Sequence, residues 1–255
     1  MVDDKKQQIK NQEENSKDQG EGLLGEGLLE MEKAGLQYGH KRTFNHPQAG
    51  YFTLKSSGEI ALIDLNKTNK GLLAALDFMK EVVKNKGSIV FVGTRAGAKE
   101  AIEKVSKKYN LPYVTNRWLG GTLTNFQTLS DRIQYLKDLE NKKEKGDWDK
   151  YTKQEQRKLE EEMLKLEQKF IGLKNMVRLP DALFVVDPKV HQTAVREARK
   201  MGIPIIAILD TDDDPTEISY PIPANDSAKS AIEYILNRVD QCLEQINSKE
   251  QEIKK

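Results

Sequence analysis

Cysteine is almost absent: Cys242 is the single one in 255 residues. That excludes an internal disulfide and any cysteine-built zinc cluster. The expected place of Cys242 is the apolar stripe of a C-terminal helix, as a small buried hydrophobe. No apolar run approaches the roughly 18 residues of a membrane span. Met1–Gly20 lacks the apolar region of a secretory signal peptide, so the expected location is cytoplasmic and reducing. No Ser-His-Asp signature, HExxH or GxSxG occurs, so no catalytic residue and no enzyme are predicted. The net charge is only +1, far from the basic balance of a typical nucleic-acid-binding domain.

Charge is nevertheless abundant and unevenly spread. Charged residues make up 32% of the chain, above the roughly 25% of an average soluble protein. From Arg95 to Arg117 there are six bases against two acids, and from Asp210 to Glu217 five acids and no base. These blocks are read as two opposite poles, one turned to phosphate and the other to solvent or a basic partner.

Residues 1–20 are polar apart from Met1, Val2 and Ile9 and read as a disordered extension. Leucines in Glu21–Gly35 suggest a short docking helix. From Glu59 onward, apolar runs alternate with helical patterns. Ile60–Leu65, Ser88–Val92, Pro112–Thr115, Ala182–Val186 and Ile203–Leu209 read as strands. Asn66 is read as the cap of a helix through Glu81. Ala96–Tyr109, Val190–Met201 and Asp226–Ile246 read as further helices. Runs that are continuously apolar imply burial on both faces, and their alternation with helices implies a parallel sheet between helical layers. The predicted fold is α/β, a three-layer α/β/α arrangement with a mainly parallel sheet.

Residues 124–170 carry no strand signal. Thr124 with Gln127, and Thr152 with Glu155, have the spacing of capping boxes. Phe126, Leu129, Ile133, Leu136 and Leu139 form one narrow seam; Leu159, Met163, Leu166 and Phe170 form another. Ten bases and ten acids lie between Lys137 and Lys169. The expectation is an inserted antiparallel helical (coiled-coil) hairpin; the alternative is two amphipathic helices packed on the sheet. The domain plan is therefore 1–20 extension, 21–123 with 171–246 as a discontinuous α/β domain, 124–170 as the insertion, and 247–255 as a polar tail.

Four segments carry candidate chemistry. VGTRAGAK, Val92–Lys99, puts a glycine between a strand and a helix start, as phosphate-binding turns do. Its spacing fits neither the Walker A nor the dinucleotide pattern. Arg95 and Lys99 are thus candidates for RNA phosphate, with a plain tight turn as the alternative. NRWLGGTLTN, Asn116–Asn125, offers Arg117, Trp118 and Asn125 to RNA, although Trp118 fits equally well as an internal wedge. YGHKRTFNHP, Tyr38–Pro47, interleaves aromatics with Lys41, Arg42 and Asn45, which suits a nucleic-acid surface. His40 and His46 have no third ligand at usual spacing, so no metal is expected. DTDDDP, Asp210–Pro215, is read as a solvated turn; the alternative is a magnesium site at a strand end.

Taken in order, AGLQYGHKRTFNHP, IALIDLNKT, IVFVGTRAGAKEAI, RWLGGTLTNFQT, LPDALFVVDP, EARKMGIPIIAILDTDDDP and IPANDSAKSAI resemble the family of the second protein of the bacterial small ribosomal subunit. RWLGGTLTN and LPDALFVVD carry most of the specificity, and the likeness runs from about Leu24 to Ile246. It implies an α/β/α fold with a helical hairpin and a structural, ribosome-bound role without cofactor or small-molecule substrate. Its implied partners are small-subunit rRNA between head and body, and neighbouring proteins including the large mRNA-binding first protein. The chain departs from the family where Phe44 stands in the tryptophan slot and His46 separates Asn45 from Pro47. The rival readings are an α/β enzyme holding a nucleotide at the Gly93 and Asp210 strand ends, and a coiled-coil adaptor.

Overall fold

The computed structural model describes residues 27–54 and 58–253. The 1–20 extension and the last residues of the 247–255 tail lie outside them. A helix, α1, occupies 27–34. Three short strands follow: β1 (Tyr38–Lys41), β2 (Thr53–Leu54) and β3 (Ile60–Ile63). Next come α2 (Leu65–Lys84), β4 (Ile89–Val92), α3 (Ala96–Lys108) and β5 (Tyr113–Val114). Two long helices, α4 (Phe126–Glu144) and α5 (Lys153–Phe170), precede β6 (Ala182–Val186). The chain ends with α6 (Gln192–Lys200), β7 (Ile205–Leu209), β8 (Tyr220–Pro223) and α7 (Lys229–Ile253).

The central sheet is parallel, in the order β5-β4-β6-β7-β8. Every residue of β4, β6 and β7 is buried, as continuous apolar runs require. Because side chains alternate across a strand, each run divides its residues between two cores. Phe91, Phe184, Ile206 and Ile208 face one way, against α2, α3 and α7. Val90, Val92, Leu183, Val185 and Ala207 face the other, against Ala194, Val195 and Ala198 of α6. The three-layer arrangement thus follows from the apolar pattern of three strands. Cys242 is buried on α7 in the first core, as a small hydrophobe.

Several local expectations are corrected. Ile60–Ile63 does not join the parallel sheet; it pairs antiparallel with β1 and β2 in a separate three-stranded sheet. Asp64, not Asn66, caps α2, its carboxylate accepting from the Asn66 N–H at 3.0 Å. The Thr124 capping box does not form: Asn125 takes the N-cap position without a side-chain cap bond. Thr124 gives its N–H and its hydroxyl to Glu197 instead. The second capping box, Thr152 with Glu155, is complete.

α4 and α5 pack mainly on each other and on the short turns beside them. Lys143 near the end of α4 pairs with Glu160 in α5, and Lys174 ties Glu140 to the chain just beyond α5. Leu129, Ile133, Leu136 and Leu139 of α4 join Met163 and Phe170 of α5 in a cluster continuous with the second core through Trp118, Leu123 and Met176.

Two outcomes are expected. Replacing residues 127–169 by a short linker should leave an α/β core that still unfolds cooperatively in denaturant; a broad, non-cooperative transition would show that the seam is part of the sheet's own core. At Gly71 of α2, a Cβ would lie 2.3 Å from the Pro221 carbonyl oxygen. Gly71→Ala should therefore destabilise the protein by about 1–3 kcal/mol in chemical denaturation, although alanine favours an exposed helix by about 1 kcal/mol.

Candidate nucleic-acid interface

Parallel strands all leave the sheet at their carboxyl ends, so the segments after β4, β6, β7 and β8 meet at one edge. There Arg95 follows β4, Asp187 follows β6, Asp210–Asp214 follow β7, and Asp226 follows β8. Arg95 is the N-cap residue of α3, and its guanidinium turns inward. It lies 2.5 Å from Asp187 and 3.4 Å from Asp226, and donates to the Ser227 hydroxyl. The short approach to Asp187 Oδ2 is an ion pair without hydrogen-bond alignment, since that oxygen accepts no hydrogen bond. Asp187 Oδ1 accepts from the Val190 N–H at 3.0 Å.

Asp187, Asp213 and Asp226 are all buried, and one carboxylate oxygen from each lies within 4.8 Å of the others. Among the described residues, this is the group whose spacing could hold a metal ion. Burial, then the charge of Asp226, pushes Asp213 up to about 8. Burial, then the charges of Asp187 and Asp210, pushes Asp226 up to about 7, against the pull of Arg95. Burial raises Asp210 as well, and lowers His191, which bridges the Asp187 carbonyl and the Thr94 hydroxyl. Fully ionised, the cluster would hold more negative charge than Arg95 alone offsets, which, after burial, is what raises these carboxyls.

The acidic segment is therefore not a solvated pole. Asp210, Thr211 and Asp213 are buried, and the aromatic and basic loop beginning at Tyr38 docks on them. His46 donates its N–H to the Thr211 carbonyl at 2.8 Å, and the His40 N–H reaches the Thr211 hydroxyl at 3.1 Å. His40 Nδ1 stands 2.9 Å from Asp210. The supposed opposite poles are neighbours, because β4, β6 and β7 are adjacent and parallel.

The candidate RNA contacts divide accordingly. Lys41 and Arg42 are exposed beside this edge, where Arg42 donates its N–H to the Glu59 carbonyl. Asn45 closes the turn, and its side-chain oxygen is shielded without a partner among the described residues. Lys99 is half-buried on α3, within electrostatic reach of Glu103. Arg117 is exposed. Asn125 is exposed and accepts from the Thr128 hydroxyl at 2.8 Å. Arg95 is the member whose charge is already engaged.

Trp118 is buried, and its indole N–H donates to Glu197 at 3.2 Å. Glu197 also accepts from the backbone N–H groups of Gly121, Leu123 and Thr124. One carboxylate on α6 thereby holds the Trp118–Thr124 turn, with the exposed Arg117 immediately before it. Burial works to raise the Glu197 carboxyl, but the N–H donors of Leu123, Gly121 and Trp118 prevail and hold it below its ordinary value. Sequence reasoning missed Glu197, Asp187 and Asp226. Position 197 shares the buried face of α6 with Ala194 and Ala198, and Asp187 ends an apolar run as Asp210 does; both signals were present.

A family model described as ribosomal protein S2 matches residues 31–245. The chain is 45% identical over 215 residues to small ribosomal subunit protein uS2 of Bifidobacterium animalis subsp. lactis, a match covering 82% of this chain and 70% of that one. It is 40% identical over 218 residues to the protein of the same name from Marinobacter nauticus, covering 85% and 87%. The Dehalococcoides mccartyi protein is 38% identical over 212 residues, covering 83% and 86%.

Glu197→Ala would leave four buried or half-buried N–H donors unpaired. A loss of about 3 kcal/mol or more is expected in urea denaturation. The sign of the pH dependence follows from the lowered carboxyl: its contribution is present above the unfolded value of 4.5 and is lost as pH falls through the folded one. The variant should therefore lose less stability than wild type on acidification in that range.

Proposed function

The chain belongs to the ribosomal protein S2 family, and on that footing we infer that it serves as a structural constituent of the small ribosomal subunit, binding rRNA and supporting translation without turnover chemistry. Its partners are small-subunit rRNA and neighbouring ribosomal proteins, among them the large mRNA-binding first protein. Its location is the cytoplasm, on the ribosome. Among the described residues no helix is long and apolar enough to cross a membrane.

The observation that carries the reading is the exposed set Lys41, Arg42 and Arg117 on two rigidly held turns. No ion pair of the described residues engages these three side chains, so their charges are available to phosphate. Phosphate contacts position a protein on RNA and release counterions. Asn45 and Asn125 stand beside these bases as polar contacts, and Lys99 adds charge on α3. Arg95 contributes chiefly by neutralising the acidic cluster beneath the loop, with its outer edge left to RNA. Trp118 acts by holding Arg117 in place rather than by stacking on a base.

Two measurements test this. In a sucrose gradient of lysate that keeps subunits intact, the protein should travel with the small subunit; recovery wholly in the soluble fraction would sink the reading. Lys41→Ala with Arg42→Ala should flatten the salt dependence of rRNA binding by about 1.4–1.8 in logarithmic slope, with melting unchanged. Arg95→Ala should instead lower the melting temperature, because it strips the counter-charge from Asp187 and Asp226.

A further inference from the structure

On the other side of the Tyr38–Phe52 segment, the wall of a groove is built from three elements. Tyr51 closes it at one end, Lys67 and Lys70 on the first turns of α2 form its rim, and Tyr220, Pro221 and Pro223 of β8 form its floor. Its volume is about 410 Å³, inside the roughly 300–1,000 Å³ range of small-molecule sites. The floor is apolar. Tyr220 is held in place by Phe78 stacked on it, with ring centroids 4.3 Å apart and 13° between planes. Tyr51 is about half exposed, with Lys67 Nζ 5.6 Å from its ring centroid.

The charges at this groove are of one sign. Its lining contains two lysines and no carboxylate, and no ion pair of the described residues uses either lysine. This sets it apart from the cavity beside the acidic cluster, which Asp212, Asp213, Asp214 and Glu217 line. A half-exposed aromatic ring, an apolar floor and two ammonium groups free of ion pairs among the described residues match one chemistry. An unstacked base lies on the ring and the prolines, and its flanking phosphates meet the lysines. An acidic peptide would satisfy the lysines but leave the flat aromatic wall without a planar partner.

We propose that this groove between Tyr51, the start of α2 and the edge strand β8 receives an unpaired nucleotide of RNA, with Tyr51 as its stacking platform and Lys67 and Lys70 as its phosphate contacts. The proposal rests on the rRNA-binding reading above and adds a second contact to it. Small subunits depleted of this protein, titrated with the full chain, supply the test. Tyr51→Ala should weaken binding at least about fivefold while leaving the salt slope unchanged, and Tyr51→Phe should bind as wild type. Lys67→Ala with Lys70→Ala, both exposed on a helix, should flatten the slope by about 1.4. This pair carries the test even where Tyr51→Ala disturbs the fold. After ultraviolet crosslinking of the reconstituted subunit, the peptide containing Tyr51 should carry a nucleotide. Wild-type affinity and slope in these variants, with wild type binding normally, would overturn the groove alone. Failure of the wild-type chain to bind would overturn the parent reading as well. A Tyr51 peptide crosslinked to protein instead of nucleotide would assign the groove to a neighbouring polypeptide and overturn the proposal.

Discussion

Burying the carboxylates of Asp187, Asp213 and Asp226 within 4.8 Å of one another is the costliest demand this fold meets. A buried ionised group is tolerated only when paired or protonated. Arg95 supplies one charge, and burial together with the neighbouring carboxylates shifts Asp213 and Asp226 upward, toward their neutral forms. Everything at the carboxyl edge is arranged around that demand. The Tyr38–Pro47 loop is moored to Thr211, the β7 exit is tied to Lys189, and α3 begins where Arg95 can reach inward. A basic residue at a strand exit is then a structural counter-ion first, and a ligand for RNA only with what charge remains.

Glu197 solves the opposite problem on the other side of the edge. Here a single carboxylate meets donors alone, so it stays charged and rigidifies the turn that carries Arg117. The two arrangements divide the labour of the surface. Cations that face inward set the geometry, and those on the braced turns are left free of ion pairs among the described residues. Such bracing reduces the conformational entropy lost when an exposed side chain is immobilised on a partner.

The α/β/α layering was legible because β4, β6 and β7 are unbroken apolar runs, and an unbroken run has one physical meaning: two buried faces. The helices α4 and α5 were legible from their spacing of three and four. Other features were hidden by ambiguity in the residue types themselves. β8 is not among the expected strands, because Pro221 and Pro223 break the strand pattern. Asp210 and Asp213 read as turn formers, because nothing local reveals that two distant strands bring further carboxylates against them. Glu197 shares the apolar face of α6 with Ala194 and Ala198, but the Trp118 turn that covers it comes from a distant part of the chain. Lys41, Arg42 and Arg117 were legible as cations but not as free ones; which bases are already engaged depends on tertiary pairing, as Arg95 illustrates.

Pro221 and Pro223 have a consequence beyond hiding a strand. Ala224 donates its N–H to Leu209 on β7, so by the alternation of a strand the positions of Pro221 and Pro223 point away from β7. Neither proline has an N–H to offer there. Their carbonyls are covered by α2, one close to Gly71 and the other accepting from the Thr68 hydroxyl. The β8 edge of the sheet is thus unable to recruit another chain by strand addition. A ribosomal protein spends part of its life unassembled, among many copies of itself and of other newly made chains. An edge that cannot be extended closes one route by which that waiting population could polymerise.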